Sequence, residues 1–271
     1  MGWFGSILLL AFPWGLSYCL TRFAGVPIDF WMPLLLSIAF FSLIFNEIRT
    51  NVLTGLYKFY NRYKIDGYKP QQIARRVLDD EGLGKVKVDT TSIGYFTFGE
   101  PGGGGQRLEL APEIIAPFES KSSSGGAGKY SAGAYGLLFR QLGMAYANNR
   151  PGILMFFKRL LSIPANIAGF VYIFPITFGY AFFGMSPRLQ YWLILGGFFL
   201  FGIVLLYIAI LIPCEFMVGM ASRRLLYNSA AFDVHDRGLI RRFIGNYSRL
   251  AIILTFLNIL AVFIPISRGN K

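Results

Sequence analysis

Few residues of this chain are of the types that bind metals or perform nucleophilic catalysis. It has one histidine, His235, and two cysteines, Cys19 and Cys214, which lie far apart in or beside apolar segments. This spacing supports neither a disulfide framework nor a zinc ribbon. No Ser/His or Cys/His arrangement is apparent, so a nucleophile would lack its base. We interpret both cysteines as small apolar packing residues, and His235 as a surface residue between Asp233 and Asp236.

A glycine-rich segment, Lys121–Tyr130, contains the Gly-Lys pair of a phosphate-binding P-loop. A P-loop also requires a glycine where this chain has Ser123, a serine or threonine where it has Tyr130, and a strand before the loop. These requirements are not met. We therefore predict a flexible loop that leads into a helix, and no nucleotide site.

The composition indicates a membrane protein. The chain is 54% hydrophobic and 15% charged, whereas a soluble domain carries about 25% charged residues. Charged residues are missing in blocks, as expected for membrane spans separated by polar segments. The net charge of +12 is explained by basic residues beside the spans, which set orientation and contact anionic lipid. No nucleic-acid partner is expected.

Five segments are apolar enough to cross a bilayer, which takes about 20 residues of helix. The two weaker candidates, Trp3–Leu20 and Pro164–Met185, contain Pro13 and Pro175, and membrane helices tolerate proline where neighbouring groups compensate for the lost backbone donor. In chain order the segments are Trp3–Leu20, Phe30–Phe45 with its flanks, Pro164–Met185, Gln190–Ile212 and Leu250–Ser267.

The distribution of lysine and arginine predicts the orientation of these spans. Five spans place residues 48–162 and 213–249 on one side, and these segments contain 16 and 6 of the 26 basic residues. Only 4 remain for the opposite side. Because positively charged flanks stay on the cytoplasmic side, we expect the polar region and the N-terminus in the cytoplasm or an organellar matrix. If Trp3–Leu20 does not span, only the N-terminus changes side.

These boundaries predict a mainly α integral membrane protein with about five transmembrane helices. A small α+β polar domain, residues 49–162, is inserted between the second and third spans. The remaining segments are two membrane helices in residues 1–48, two more in residues 163–212, a cytoplasmic basic helical segment in residues 213–249, and the last membrane helix with its tail in residues 250–271.

Three helices are predicted in the polar domain. Asn51–Tyr63 continues the second span along the membrane interface. Pro70–Glu81 is amphipathic, begins with a proline where proline is tolerated, and can be capped by Gly82. Ala132–Asn148 follows the glycine-rich loop.

Three strands are predicted between these helices. Lys85–Asp89 is the first, and Ser92–Phe98 and Gln106–Leu110 follow it. We expect the last two to form a hairpin through the flexible connection Gly99–Gly105.

The order of these motifs resembles the YugP-like membrane zinc metallopeptidases. In that family an amphipathic helix ending in Leu-Asp-Asp-x-Gly-Leu leads into short strands and then a helix bearing His-Glu-x-Gly-His. Two membrane spans, a Pro-x-Glu-Phe motif, a basic helix and a final span follow. The resemblance covers roughly Tyr57 to the C-terminus. The matching parts here are Lys69–Asp89 (KPQQIARRVLDDEGLGKVKVD), the helix from Ala132, Pro-Cys-Glu-Phe at positions 213–216, and the Arg223–Arg224 pair.

At the centre of the resemblance the metal-binding residues are replaced. The family's two histidines, four residues apart on one helix face, hold a zinc ion, and the glutamate between them acts as general base. The corresponding residues here are Arg140, a permanent cation that repels a metal, Gln141, which cannot take a proton, and Met144, a soft thioether. The third ligand of the family corresponds to Glu215, which this chain keeps.

A retained carboxylate at the end of a membrane span is costly unless it is paired. The resemblance implies that Glu215 faces the helix that carries Arg140. We therefore hypothesise an ion pair between Arg140 and Glu215 in which the guanidinium stands in for the metal. In the alternative arrangement Arg140 contacts lipid headgroups and Glu215 contacts water.

The resemblance and the altered motif predict a pseudoenzyme without catalytic residues, metal or cofactor. It would serve as a membrane scaffold, an accessory subunit or a peptide-binding partner, in contact with the bilayer and other membrane proteins. One alternative is a peptidase with altered, metal-free chemistry that uses Glu215 and Gln141. Another is a small transporter or channel component, although the spans contain almost no ionisable residue. The resemblance favours a bacterial plasma membrane over an organellar inner membrane.

Overall fold

The computed structural model describes residues 47–92, 94–95, 107–116, 127–150, 152–162 and 187–268. Helices account for 74% of the described residues, which confirms the prediction of a mainly α protein. Several predicted features lie outside the described residues, namely the spans Trp3–Leu20, Phe30–Phe45 and Pro164–Met185, the connection Gly99–Gly105, and Cys19.

The chain divides into two compact units, and every predicted site residue belongs to the unit made of Arg49–Phe156 and Pro213–Ile253. Helices and four short strands make up the first part of this unit, and residues 213–253, which belong to two long helices, complete it. In chain order the described elements are α1 (47–60), β1 (Lys64–Tyr68), α2 (Pro70–Asp80), β2 (Lys87–Thr90), β3 (Arg107–Leu110), α3 (Pro112–Ile115), β4 (Ala127–Ser131), α4 (Ala132–Asn149), α5 (153–162), α6 (Pro187–Asn228) and α7 (Val234–Arg268).

Helix α2 forms as its sequence predicts. Pro70 lies in its first turn, where the missing backbone N–H is not needed. Its end is closed by Gly82, the one described residue with a clearly positive φ, 73°. The N–H of Gly82 donates to Asp79 O at 3.0 Å, and that of Leu83 donates to Leu78 O at 2.7 Å. These two bonds form a Schellman cap, which satisfies carbonyls that a helix end otherwise leaves free.

Strands β1 and β4 pair antiparallel, with Ile65 opposite Tyr130. The sequence analysis did not predict β1, and its prediction of a loop for Lys121–Tyr130 is wrong for residues 127–130. Neither strand shows a clear apolar alternation, and both contain glycine. Ile65 and Tyr130 are 1% and 5% exposed, so burial between distant segments stabilises this pair.

Strands β2 and β3 confirm two predicted strands, but they pair in parallel, with Val88 opposite Leu108. The strand predicted for Ser92–Phe98 as the hairpin partner of β3 is wrong for its described residues. Ser92 lies in a bend and Tyr95 in a turn. Tyr95 is buried, and its backbone N–H donates to the Glu113 carboxylate at 3.0 Å. This bond directs the backbone donor to a side chain instead of a strand ladder.

The two long helices contain the predicted spans Gln190–Ile212 and Leu250–Ser267. Helix α6 continues without a break through Pro213, whose ring removes one backbone donor from the helix. Among the described residues one stretch, Gly202–Asn228, is long and apolar enough to cross a membrane, with a mean hydropathy of 2.3.

Helix α1 is tied to the short helix α3 through a tyrosine. The Tyr57 hydroxyl donates to Glu113 O at 3.0 Å. Burial of the phenol, and to a smaller extent the charge of the nearby Glu113 carboxylate, raise the pKa of Tyr57 to about 12.

This raised pKa predicts a loss of stability in alkali. The folded protein favours the neutral phenol, so its contribution is fully present below the ordinary tyrosine pKa of 10.0 and is lost as the pH rises towards about 12. We expect denaturation midpoints of the Tyr57→Phe variant to fall less steeply than those of the wild type across this interval. Identical slopes for the two proteins would contradict the assignment.

Candidate functional site

The helix that carries the altered motif, α4, lies in the centre of its unit. Every residue from Ala132 to Ala145 is buried. The Ser131 hydroxyl caps the helix by accepting the N–H of Ala134 at 3.0 Å. One turn later the Tyr135 hydroxyl donates to Tyr68 O at 2.9 Å, and burial raises the pKa of Tyr135 well above its usual range. The neutral phenol therefore holds α4 against the end of β1.

A glycine allows α4 to approach α6 closely. A Cβ placed on Gly143 would overlap the Ser222 hydroxyl and lie 2.9 Å from both Val218 O and Ser222 N. Two of these three atoms belong to the backbone and cannot move without shifting the helix. Gly143 therefore sets the separation of the two helices that carry Arg140 and Glu215.

Replacing Gly143 with alanine is expected to destabilise the protein by roughly 1–3 kcal/mol, because overpacking forces backbone shifts of this cost. Gly55 in α1 provides the matched control, since a Cβ there would meet nothing within 4 Å. Gly55→Ala should be neutral or stabilising, because alanine favours a helix. Chemical denaturation of both variants measures the difference, and equal stability of the two would show that the close approach is not required.

The structure confirms the hypothesised ion pair. Arg140 Nη2 donates to Glu215 Oε2 at 2.6 Å, although 75 residues separate the two in sequence. Arg140 is 1% exposed and Glu215 is 7% exposed. A charge removed from water to this extent is tolerated when it is paired and hydrogen-bonded. The alternative, with Arg140 at lipid headgroups and Glu215 in water, is wrong.

Two further residues complete the surroundings of the pair. The Arg140 guanidinium lies over the Tyr247 ring, 4.2 Å from its centroid, which adds a cation–π contact. Arg49 Nη2 lies 3.9 Å from Glu215 Oε1, so the carboxylate sits between two guanidinium groups. Sequence reasoning missed both residues, because neither belongs to a motif and each is far from its contact along the chain.

Gln141 and Met144 are buried beside Arg140 but do not join the ion pair. Both amide atoms of Gln141 lack a hydrogen-bond partner in the described part of the chain. Met144 is 7% exposed and lies one helical turn after Arg140, on the same face of α4. No described hydrogen bond or ion pair connects either side chain to Glu215.

The surroundings of the remaining candidate residues differ. His235 is exposed at the start of α7, as predicted. Cys214 is buried, and its thiol donates to Leu154 O with a sulfur–oxygen distance of 3.9 Å. Lys129 of the Gly-Lys pair lies in β4. Within the described residues, no group of three or more His, Cys, Asp or Glu side chains could hold a metal ion.

The ion pair is closed to solvent, and an open cavity lies elsewhere in the same unit. That cavity, of about 330 Å³, lies between α2 and the turn that follows α6. Its lining contains none of the residues around the ion pair. A substrate that entered this cavity would therefore not meet Arg140 or Glu215.

Comparisons with models of protein families, with curated proteins and with solved structures find no match for this chain.

Proposed function

We propose that this chain is a catalytically inactive membrane protein derived from a zinc metallopeptidase of the YugP-like kind. Its role is that of a scaffold or accessory subunit that binds a peptide or another membrane protein. The observation that carries this proposal is the buried ion pair, in which Arg140 engages the carboxylate of Glu215, the residue that the resemblance assigns as a metal ligand.

The chemistry of the two side chains supports this loss of activity. Glu215 already contacts Arg140 through one oxygen and lies near Arg49 through the other. A zinc ion at the same place would have to displace a guanidinium that cannot lose its proton. Gln141, in the position of the general base, has an amide that cannot accept a proton from water.

The proposed protein crosses the membrane five times, with its polar domain on the cytoplasmic or matrix side. The long apolar stretch Gly202–Asn228 and the bias of basic residues towards residues 48–162 and 213–249 support this arrangement. A bacterial plasma membrane fits the resemblance best.

Metal content and proteolysis of the purified full-length protein test the loss of activity. We expect far less than one zinc per chain, and no cleavage of an unfolded casein substrate with or without added zinc. Stoichiometric zinc, or cleavage abolished by a chelator, would overturn the proposal. Metal-free cleavage that is lost in the Glu215→Gln variant would favour a peptidase with altered chemistry.

The binding role is tested by cross-linking in intact membranes, followed by mass spectrometry of the purified chain. One reproducible membrane protein, recovered at a constant ratio to the chain, is the expected result. Recovery of only random abundant proteins would count against a scaffold. A Glu215→Gln variant, which disturbs the centre of α4 and α6, should lose the partner if the former peptidase site shapes the binding surface.

A further inference from the structure

Four exposed arginines lie together on α6 and α7, apart from the Arg140–Glu215 pair. We call them the arginine group, and they are Arg223 on α6 and Arg241, Arg242 and Arg249 on α7. Within the described chain none of the four forms an ion pair with a carboxylate. Like charges held close together repel each other, so an anion from outside the described chain would stabilise this surface.

The packing of the two helices brings the arginine group together. A Cβ on Gly245 would lie 3.3 Å from Arg223 Nη2, so this guanidinium lies against α7 where a side chain is missing. Arg241 and Arg249 are four residues before and after Gly245. Residues four apart are neighbours on a helix surface, and Arg223 therefore lies between them.

Exposed apolar side chains continue the same surface along both helices. On α6, Phe216 and Met220 precede Arg223 by seven and three residues, on the same face, and are 59% and 54% exposed. On α7, Ile253 follows Arg249 by four residues and is 53% exposed. Each helix therefore carries a stripe that is apolar at one end and basic at the other. The apolar end comes first along α6 and last along α7.

The two stripes are aligned because the helices run antiparallel. A Cβ on Gly219 would contact Ser248, while Arg223, four residues later on α6, meets Gly245, three residues earlier on α7. The apolar parts of the stripes consequently lie at one end of the surface and the arginines at the other.

We propose that this surface binds an acidic phospholipid, with its phosphate at the arginine group and an acyl chain along Phe216, Met220 and Ile253. Guanidinium groups present paired N–H donors that match phosphate oxygens. The adjacent apolar stripe favours a lipid over a soluble phosphate, which has no apolar part to bury. This proposal rests on the membrane location in the proposed function and is independent of the loss of catalysis.

A neighbouring pair of arginines provides a matched control. Arg224 is also exposed, but its Nη2 lies 3.7 Å from Glu81 Oε2, and its guanidinium lies 5.6 Å from the centroid of the Tyr146 ring. Arg150 lies over the same ring at 4.7 Å. Removing these two charges changes the net charge as much as removing two members of the arginine group.

The test uses native mass spectrometry of the full chain in detergent, with added phosphatidylglycerol or phosphatidylcholine. The wild type should retain phosphatidylglycerol in preference to phosphatidylcholine. Arg223→Gln/Arg249→Gln should weaken this retention by roughly tenfold or more, because charge-assisted hydrogen bonds are lost. Arg224→Gln/Arg150→Gln should retain the lipid like the wild type, and a molar excess of glycerol phosphate over the lipid should not displace it.

Three results would overturn the lipid site. Equal loss in both double variants would mean general charge attraction, displacement by glycerol phosphate would mean a soluble anion site, and equal retention of the two lipids would mean no headgroup preference. Circular dichroism and the Arg223→Lys/Arg249→Lys variant, which keeps the charge, establish that any loss does not come from misfolding. Release of the chain from membranes by alkaline carbonate would instead contradict the membrane location, and the zinc content reports separately on the loss of catalysis.

Discussion

Replacing Glu215 with glutamine is expected to destabilise the detergent-purified protein by roughly 3–5 kcal/mol, the cost of leaving a buried charge without its partner. Arg140 is 1% exposed and donates to Glu215 at 2.6 Å. A glutamine of nearly the same shape keeps the packing but removes the negative charge that both Arg140 and Arg49 face. Denaturant unfolding followed by circular dichroism measures the change.

The two arginine partners of Glu215 predict which variants lose more stability. Arg140→Met should be less destabilising than Glu215→Gln, because Glu215 keeps Arg49 at 3.9 Å. The double variant Arg140→Met/Glu215→Leu should recover much of the loss, since an apolar pair replaces a buried ion pair at little or no cost. Losses that simply add in the double variant would contradict a coupled pair.

An exposed ion pair in α2 provides the control for charge removal. Arg75 Nη2 lies 2.5 Å from Asp79 Oδ1, but the two side chains are 38% and 55% exposed. Asp79→Asn makes the same carboxylate-to-amide change, and we expect a loss of about 1 kcal/mol or less, as for other surface ion pairs. A comparable loss in Asp79→Asn and Glu215→Gln would show that burial does not determine the effect.

The triple variant Arg140→His/Gln141→Glu/Met144→His is expected to bind about one zinc ion per chain, as His₂Glu sites do. Positions 140 and 144 lie one turn apart on α4, on one face. The Arg140 side chain already reaches Glu215, so a histidine there and the carboxylate can approach the same ion. Zinc measured by elemental analysis after dialysis, together with a chelator-sensitive rise in melting temperature, tests the variant.

Two control variants locate the zinc site. Adding Glu215→Gln to the triple variant should reduce zinc binding greatly, because the third ligand is lost. Gln141→His/Ala145→His places two histidines at the same spacing on a different face of α4, and it should bind no zinc. A folded triple variant without zinc would argue against the peptidase ancestry, whereas zinc in the Gln141→His/Ala145→His variant would argue against the geometry.

Local sequence patterns were sufficient for α2 and α4, but they did not predict the shorter helices α3 and α5. The amphipathic period and the proline and glycine at its two ends predicted α2, and the helix of the altered motif extends one residue further than expected. The strands were predicted less well. Strand β1 and the strand pairing β1–β4 were missed, and the predicted hairpin partner of β3 is replaced by a parallel partner. A helix forms its hydrogen bonds within one segment, whereas a strand pair depends on a second segment that local composition does not identify.

The same distinction applies to the site. The sequence by itself determined that one histidine is present, and the resemblance assigned Arg140, Gln141 and Glu215 to the positions of the family's metal site. Position along a helix and the motif resemblance were then enough to predict that Arg140 meets Glu215. Only the tertiary structure decided that the pair is buried, that Arg49 shares the carboxylate and that Tyr247 covers the guanidinium. Burial and these extra contacts result from the packing of α1, α4, α6 and α7, which are far apart in the chain, and no local pattern encodes that packing.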